Sequence, residues 1–246
     1  MKFIKLEHIK KIFLFTLILT IIFAYNDKSE TFILSNWIIN FLLLYIFCFI
    51  SSFIHETAHL FAAYLQGCAL KLKFIEIRRY WITTKAYLKR PIKLGAIFPL
   101  IITLFSNGLL YFPVISTYEV TEEKYLRLGK RYPRVSEWEL AKIAASGPLA
   151  SILLAVLFKL IPLPQTSISP VLINILIAVL NILPLPLFDG YRTFFYSKLL
   201  FIFSFIFIVI LSIFLQALSP ITALILALVL AIVIFIIYLV YPYIKK

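Results

Sequence analysis

Apolar residues form seven long runs along the chain, and short polar segments separate them. The runs occupy roughly 9–25, 32–66, 94–115, 142–161, 170–188, 199–217 and 221–243. Uncharged apolar stretches of about 20 residues are typical of membrane-spanning helices. Proline marks two boundaries, because it lacks an N–H donor and clashes with the preceding helical turn. Pro162 and Pro164 end the fourth run, and Ser219-Pro220 separates the last two. The pattern predicts an all-α polytopic membrane protein.

The charged residues between the runs indicate how the helices cross the membrane. Positive residues favour the cytoplasmic side of a bilayer, so we place both termini and loop 71–93 in the cytoplasm of a multi-pass cell-membrane protein. The run 94–115 contains Pro99 and Pro113, and a second basic loop, 117–142, follows it. If this run crossed the membrane, that loop would lie outside. We therefore expect about six spans and a re-entrant or interfacial hairpin over 94–115.

The segment 71–88 differs from the apolar runs. Its sequence, KLKFIEIRRYWITTKAYL, is rich in β-branched and aromatic residues and partly alternates apolar with charged positions. Such a pattern is typical of strands, and we predict one or two of them at the cytoplasmic surface. A free strand edge there is a candidate for capturing an extended substrate segment by strand addition. A sheet that only packs against lipid headgroups is an equal alternative.

Composition supports the membrane assignment and removes one class of partner. The chain of 246 residues is 63% hydrophobic and has a formal net charge of +13. In a soluble protein this charge would suggest nucleic acid. Here the basic residues lie in loops between apolar runs, where they fit membrane topology and anionic headgroups. We expect the lipid bilayer as a partner and no nucleic acid.

The strongest chemical signal is His55-Glu56-Thr57-Ala58-His59, inside the second apolar run. On a helix, positions i and i+4 lie one turn apart on the same face. The two imidazoles can therefore bind one Zn²⁺, while Glu56 serves as a general base toward a water molecule. Ionisable residues are costly inside a membrane and usually have a function there. The alternative is a polar patch in which these side chains only hydrogen-bond with one another.

A catalytic zinc site needs a third protein ligand, and Asp189 is the best candidate. The chain has two aspartates, and Asp27 lies in a short loop that this topology places outside. Pro184 and Pro186 prevent a regular helix before Asp189, so extended chain can carry its carboxylate inward. In the predicted topology its helix descends toward the side where the His55 helix ends. A lone Asp-Gly pair more often forms a polar cap and a turn, and that interpretation stays open.

The two motifs together resemble the site-2 protease family of intramembrane zinc metalloproteases. They are the HExxH sequence and the downstream pattern Asn-x-x-Pro-x-Pro-x-x-Asp-Gly at 181–190. Ser146-Gly147-Pro148 is similar to the turn that opens the intervening core helix in that family. The resemblance covers about 55–192 and corresponds to short members of the family that lack a PDZ domain.

The resemblance implies an intramembrane zinc endopeptidase. Such an enzyme hydrolyses peptide bonds in or near transmembrane segments of membrane-protein substrates, as in regulated intramembrane proteolysis. The resemblance also implies a three-helix catalytic core, with one zinc ion per chain bound by His55, His59 and Asp189. Glu56 would be the catalytic base, and Asn181 would hold substrate or stabilise the oxyanion.

On this basis residues 1–246 form a single membrane-embedded protease domain. Its core spans about 32–192, and the accessory helices are 9–25, 199–217 and 221–243. Ser151 stands where the family usually has an asparagine, which puts one polar contact between helices in doubt.

Other functions remain open from the sequence. An inactive relative would keep the metal and act as a regulator, although the intact Glu56 argues against this. A metal or proton transporter would use the same set of ionisable residues. Transporters more often carry polar residues in several spans or show repeat symmetry. A membrane zinc protease with another task, such as processing prenylated termini, is disfavoured by the 181–190 pattern.

Overall fold

A computed structural model describes residues 4–28, 31–79, 87–122 and 134–244 of the chain. Helices dominate this part, and short strands lie between the second and fourth of them. The helices are α1 Leu6–Ala24, α2 Leu34–Leu65, α3 Leu94–Phe105, α4 Glu137–Leu160, α5 Pro170–Ile182, α6 Asp189–Tyr196, α7 Lys198–Ala217 and α8 Pro220–Ile244. The strands are β1 Cys68–Phe74, β2 Ile77–Arg79, β3 Tyr87–Ile92 and β4 Ser116–Glu122.

Four of the described helices are long and apolar enough to cross a membrane. They are α2, α4, α7 and Pro220–Tyr241 of α8. The two other predicted spans form α1, with 19 residues, and α5, with 13. At 1.5 Å per residue α5 is only about 20 Å long, because the helix ends at Ile182 before the two prolines. The structure therefore supports a membrane protein with several spans.

Helix α4 lies at the centre of the helical assembly, where it packs against α2, α5, α6 and α7. Small residues along α4 are buried and allow these helices to approach closely. They are Ala141, Ala144, Ala145, Gly147, Ser151 and Ala155. A second close contact joins α7 and α8, where Ala223, Ala227 and Ala231 are fully buried at four-residue intervals. The packing of α4 against α2 brings α4 next to the His55–His59 motif.

The expectation that Ser146-Gly147-Pro148 opens the core helix is wrong. Helix α4 begins well before Ser146, at Glu137, and runs through Pro148 to Leu160. Its start is fixed by a capping box, in which the Ser136 side chain accepts a hydrogen bond from the Glu139 N–H and the Glu139 side chain bonds back to the Ser136 backbone. Such a cap satisfies donors that the first helical turn leaves unpaired. The tripeptide therefore lies in the middle of α4.

Strands form where 71–88 predicted them, and one of them, β1, pairs with a strand that is distant in the sequence. Strand β1 pairs antiparallel with β4, in a register from Cys68 opposite Glu122 to Phe74 opposite Ser116. Strand β2 pairs with β3 in a second small sheet. Residues 80–86 of the predicted strand segment lie outside the described part of the chain. Strand β4 was not predicted, and it occupies the start of the basic loop 117–142.

Residues 94–115 form a hairpin of one helix and one extended segment. Helix α3 ends at Phe105, and the chain reverses at Asn107 and Gly108, whose φ angles of +51° and +72° lie in the left-handed region. It then returns without regular structure to the start of β4. The predicted reversal is present.

Both ends of this hairpin meet at one residue of the strand region. The Ile75 N–H donates to the Ile115 carbonyl at 3.1 Å, and the Ile75 carbonyl accepts from the Gly95 N–H at 3.0 Å. At the opposite end, Asn26 Nδ2 donates to the Asn107 carbonyl at 3.1 Å. The hairpin tip therefore lies beside the C-terminal end of α1.

Candidate metal centre

Helix α2 places the motif residues on one buried face. His55 and His59 are 4% and 1% exposed, and Glu56 is 3% exposed. The two imidazole rings are 4.9 Å apart at nearly right angles. This is the arrangement expected for positions i and i+4 of a helix, so local spacing alone predicts it.

Asp189 lies beside the two histidines, although it is 130 residues from His59 in the sequence. Helix α5 ends at Ile182, and an irregular segment follows in which Leu187 has a φ angle of +76°. Asp189 is the first residue of α6 and is 6% exposed. Gly190 allows this turn, since a Cβ there would lie 1.9 Å from the Ile182 carbonyl oxygen. The two prolines thus interrupt the helix, as predicted, and the carboxylate points at α2.

Three atoms converge as potential metal ligands. Asp189 Oδ2 lies 3.1 Å from His59 Nε2 and 3.5 Å from His55 Nε2. Two ligand atoms at about 2.05 Å from a tetrahedral zinc ion are separated by about 3.3 Å. The observed distances bracket this value. Within the described residues, these three side chains form a buried group that can hold a metal ion.

Helix α4 fixes the orientation of both histidine rings. His59 Nδ1 donates to the Ile143 carbonyl at 2.7 Å, and His55 Nδ1 lies 2.9 Å from Ser151 Oγ. A proton on Nδ1 leaves the lone pair of Nε2 free for a metal ion. Ser151 replaces the asparagine that is usual in the family, and this replacement had put a polar contact between helices in doubt. In the structure, Ser151 does make a polar contact from α4 to α2.

Gly147 allows α4 to approach the metal ligands. A Cβ at this position would lie 2.1 Å from His59 Nε2, a separation that atoms do not tolerate. The glycine is therefore required here by close packing against His59. In the sequence, Gly147 is part of a predicted helix start. Its contact with His59 was not predicted.

Glu56 lies beside the ligand set and has a partner from outside the helical assembly. Ser116, the first residue of β4, donates a hydrogen bond from its hydroxyl to Glu56 Oε1. Sequence reasoning did not identify Ser116. No local pattern marks it, because it reaches Glu56 only through the hairpin and the pairing of β1 with β4.

A narrow cavity adjoins the candidate base. Its volume is about 20 Å³, which is room for about one water molecule. Its walls include His55, Glu56, Ser116 and Asn181, together with apolar side chains of α1. The Asn181 side chain is 5% exposed and donates one N–H to the Ile177 carbonyl at 2.8 Å. The structure thus brings Asn181 next to Glu56 and His55.

An aromatic and a cationic side chain border the other histidine. The ring of Tyr118 on β4 lies 4.7 Å from the ring of His59, and the guanidinium of Arg192 lies 4.3 Å from the same tyrosine ring. Arg192 also donates to Thr117 Oγ1 at 2.9 Å. Burial raises the pKa of the Tyr118 phenol well above its usual range, so the phenol is neutral beside the metal ligands. Neither Tyr118 nor Arg192 was identified from the sequence.

Comparison with known proteins adds no family assignment. No protein-family model matches the sequence, and no curated protein or solved structure shows significant similarity to the chain.

Proposed function

We propose that this protein is an intramembrane zinc metalloprotease of the site-2 protease type. One observation carries the proposal: Asp189 Oδ2 converges with ligand spacing on His55 Nε2 and His59 Nε2 of the long apolar helix α2, beside Glu56. Both imidazoles are engaged at Nδ1 by α4 and present Nε2 to Asp189, as metal-binding histidines commonly do. Hydrolytic metal sites use a buried set of three ligands with a nearby carboxylate that does not bind the metal.

Zinc is the metal that fits this donor set best. Catalytic zinc sites commonly use three protein ligands drawn from histidine and carboxylate and leave a further position open. Bound zinc would polarise the scissile carbonyl and lower the pKa of a water molecule to about 7. His55, His59 and Asp189 would hold one such ion per chain.

Glu56 performs the proton transfers in this proposal. Its carboxylate accepts a proton from the water molecule that attacks the peptide carbonyl, and later delivers it to the leaving amine nitrogen. The adjoining cavity has room for about one water molecule at the Glu56 carboxylate. Asn181 has two amide N–H groups and uses one on Ile177. In this scheme the second donates to the carbonyl oxygen as negative charge develops on it.

Exposed apolar surface supports the membrane setting. At the hairpin tip Phe105 is 86% exposed and Leu109 is 76% exposed. In water such a patch would be a liability, whereas lipid covers it without cost. We therefore propose that 94–115 is re-entrant and lies beside α1. We also propose six spans, namely α1, α2, α4, α5, α7 and α8, with both termini in the cytoplasm.

The substrate in this proposal is a transmembrane segment of another protein. Its peptide bonds are shielded while the segment is helical, so local unwinding must precede cleavage. The β1–β4 sheet lies next to the site through Ser116 and Tyr118. An unwound segment can add to a strand edge there. Lipids and such a substrate are the partners that this function requires.

The proposal is tested by measuring zinc content and cleavage in the purified full-length protein. We expect the wild type to bind one zinc per chain and to cleave a single-span test substrate. Glu56→Gln should keep the zinc and lose cleavage by about a hundredfold or more, because general acid–base catalysis contributes that much. Glu7→Gln, on the exposed start of α1, is the matched control and should change neither. Normal cleavage by Glu56→Gln would refute the assignment.

A further inference from the structure

The hairpin delivers one polar side chain to the candidate base. Ser116 lies where the hairpin ends and β4 begins, and its hydroxyl donates to Glu56 Oε1. No other hydrogen bond of the Glu56 carboxylate is found among the described residues. A donor from a separate element therefore bonds to Glu56, the carboxylate that lies beside the three candidate metal ligands.

The backbone that carries Ser116 is fixed from two sides. Ser116 pairs with Phe74 at the end of the β1–β4 ladder. The preceding carbonyl, that of Ile115, accepts from the Ile75 N–H at 3.1 Å. Gly95 packs so closely that a Cβ would lie 2.0 Å from the Ile115 oxygen. The hydroxyl is therefore presented from a rigid support and not from a freely moving loop.

Glu56 needs such support because α2 fixes its backbone but not its carboxylate. A glutamate side chain has three rotatable bonds, and a general base acts only when its oxygen faces the proton that it abstracts. A hydrogen bond to Oε1 selects one orientation of the carboxylate and leaves Oε2 to accept the proton. Catalytic groups are commonly held in place by such contacts from outside the reacting set.

We propose that Ser116 is a positioning residue that orients Glu56 for proton transfer. This inference rests on the proposed function. The hydroxyl touches neither the metal ligands nor the reacting peptide bond in this scheme. Removing it leaves zinc binding intact and reduces the fraction of Glu56 side chains that point at the water molecule.

The test compares Ser116→Ala with Ser116→Thr in the full-length, zinc-loaded protein. We expect Ser116→Ala to lower kcat about tenfold to a hundredfold, as for the loss of a hydrogen bond to a charged group. KM and zinc content should stay at wild-type values. Ser116→Thr keeps a hydroxyl and should restore most of kcat. Thr121→Ala is the matched control, since it removes a hydrogen-bonded β4 hydroxyl at the exposed end of the strand.

The possible results separate this inference from the proposed function. Wild-type kcat in Ser116→Ala would overturn the role of Ser116 but leave the protease intact. Zinc loss in Ser116→Ala, or an equal loss of kcat in Thr121→Ala, would indicate a structural role and would also overturn the inference. Failure of the threonine variant to recover activity would do the same. Absence of cleavage by the wild type would overturn both proposals.

Discussion

Two regions of different construction meet at Glu56. The helical region, made of α2, α4 and the start of α6, supplies every candidate metal ligand and the groups that orient the histidines. The hairpin region, made of residues 94–122, supplies Ser116 and Tyr118, which contact the site from the other side. The difference separates two tasks. Binding the metal depends on helix packing, whereas orienting the base depends on a sheet and a hairpin.

The two regions satisfy the buried polar groups of the site in different ways. Charged side chains inside an apolar assembly are tolerated only when each has partners. The helical region meets this need with the hydrogen bonds of Ile143 and Ser151 to the histidines and with the contacts between Asp189 and both imidazoles. The hairpin region meets it for Glu56 alone. Changes in the first region should therefore affect zinc content, and changes in the second should affect activity or stability without releasing zinc.

The largest effect on zinc binding should come from Asp189, the candidate ligand on α6 that contacts the two histidines of α2. We expect Asp189→Ala to reduce zinc affinity more than about a hundredfold, because even indirect support of a ligand contributes ten- to a hundredfold. Cleavage should be lost with the zinc. Metal analysis after gel filtration checks this. The chain's other aspartate gives the control, and Asp27→Ala should retain zinc. A fully loaded Asp189→Ala protein would mean that the third ligand is another group.

A steric change in α4 should act next most strongly. In Gly147→Ala the new methyl group meets His59 Nε2, so either α4 shifts or the ring leaves its position. Overpacking of this kind costs about 1–3 kcal/mol. We expect lower zinc content and a lower unfolding temperature. Leu157→Ala, on the exposed face of the same helix, should leave zinc content unchanged. Normal zinc binding by Gly147→Ala would show that α4 does not pack against the ligands as described.

Removing the Ser151 hydroxyl, which orients His55, should have a smaller effect on zinc binding. Ser151→Ala leaves His55 Nδ1 without its partner, and we expect a ten- to a hundredfold loss of zinc affinity. Competition with a zinc chelator measures it. Ser212→Ala is a suitable control, because Ser212 is also a buried helical serine but bonds only to its own helix at Ile208. Equal affinities in the two variants would show that Ser151 does not orient His55 for metal binding.

The smallest effect should come from the hairpin tip. Asn26→Ala removes the side chain that ties α1 to the Asn107 carbonyl. We expect a loss of about 1 kcal/mol or less in stability, as for a partly exposed hydrogen bond, and no change in zinc content. Thermal unfolding in detergent with parallel metal analysis gives both values. Zinc release by this variant would contradict the separation between the two regions.

The helical region was largely predictable because its signals are local. The i, i+4 spacing of His55 and His59 follows from helix geometry, and Pro184 and Pro186 mark the break before Asp189. The helix bounds were less accurate. Pro148 suggested a helix start, yet the Ser136 cap lies upstream and α4 continues through the proline.

The hairpin region was predicted only as a reversal of the chain. Pro99, Pro113 and the basic loop after the run indicated the reversal, but nothing local indicated that β4 would pair with β1. Cys68 and Glu122 face each other across this ladder, and such distant pairing depends on tertiary packing. Ser116 and Tyr118 therefore could not be recognised as parts of the site. The contact of Ser151 with His55 depends in the same way on how α4 packs against α2.

The central claim is that a metal ion held by the helical region makes this chain a protease. The most direct measurement is cleavage of a single-span substrate in liposomes by the wild-type protein before chelation, after chelation, and after zinc is restored. The proposed function requires cleavage to disappear on chelation and to return with about one zinc per chain. Cleavage that continues in the metal-free protein would contradict it.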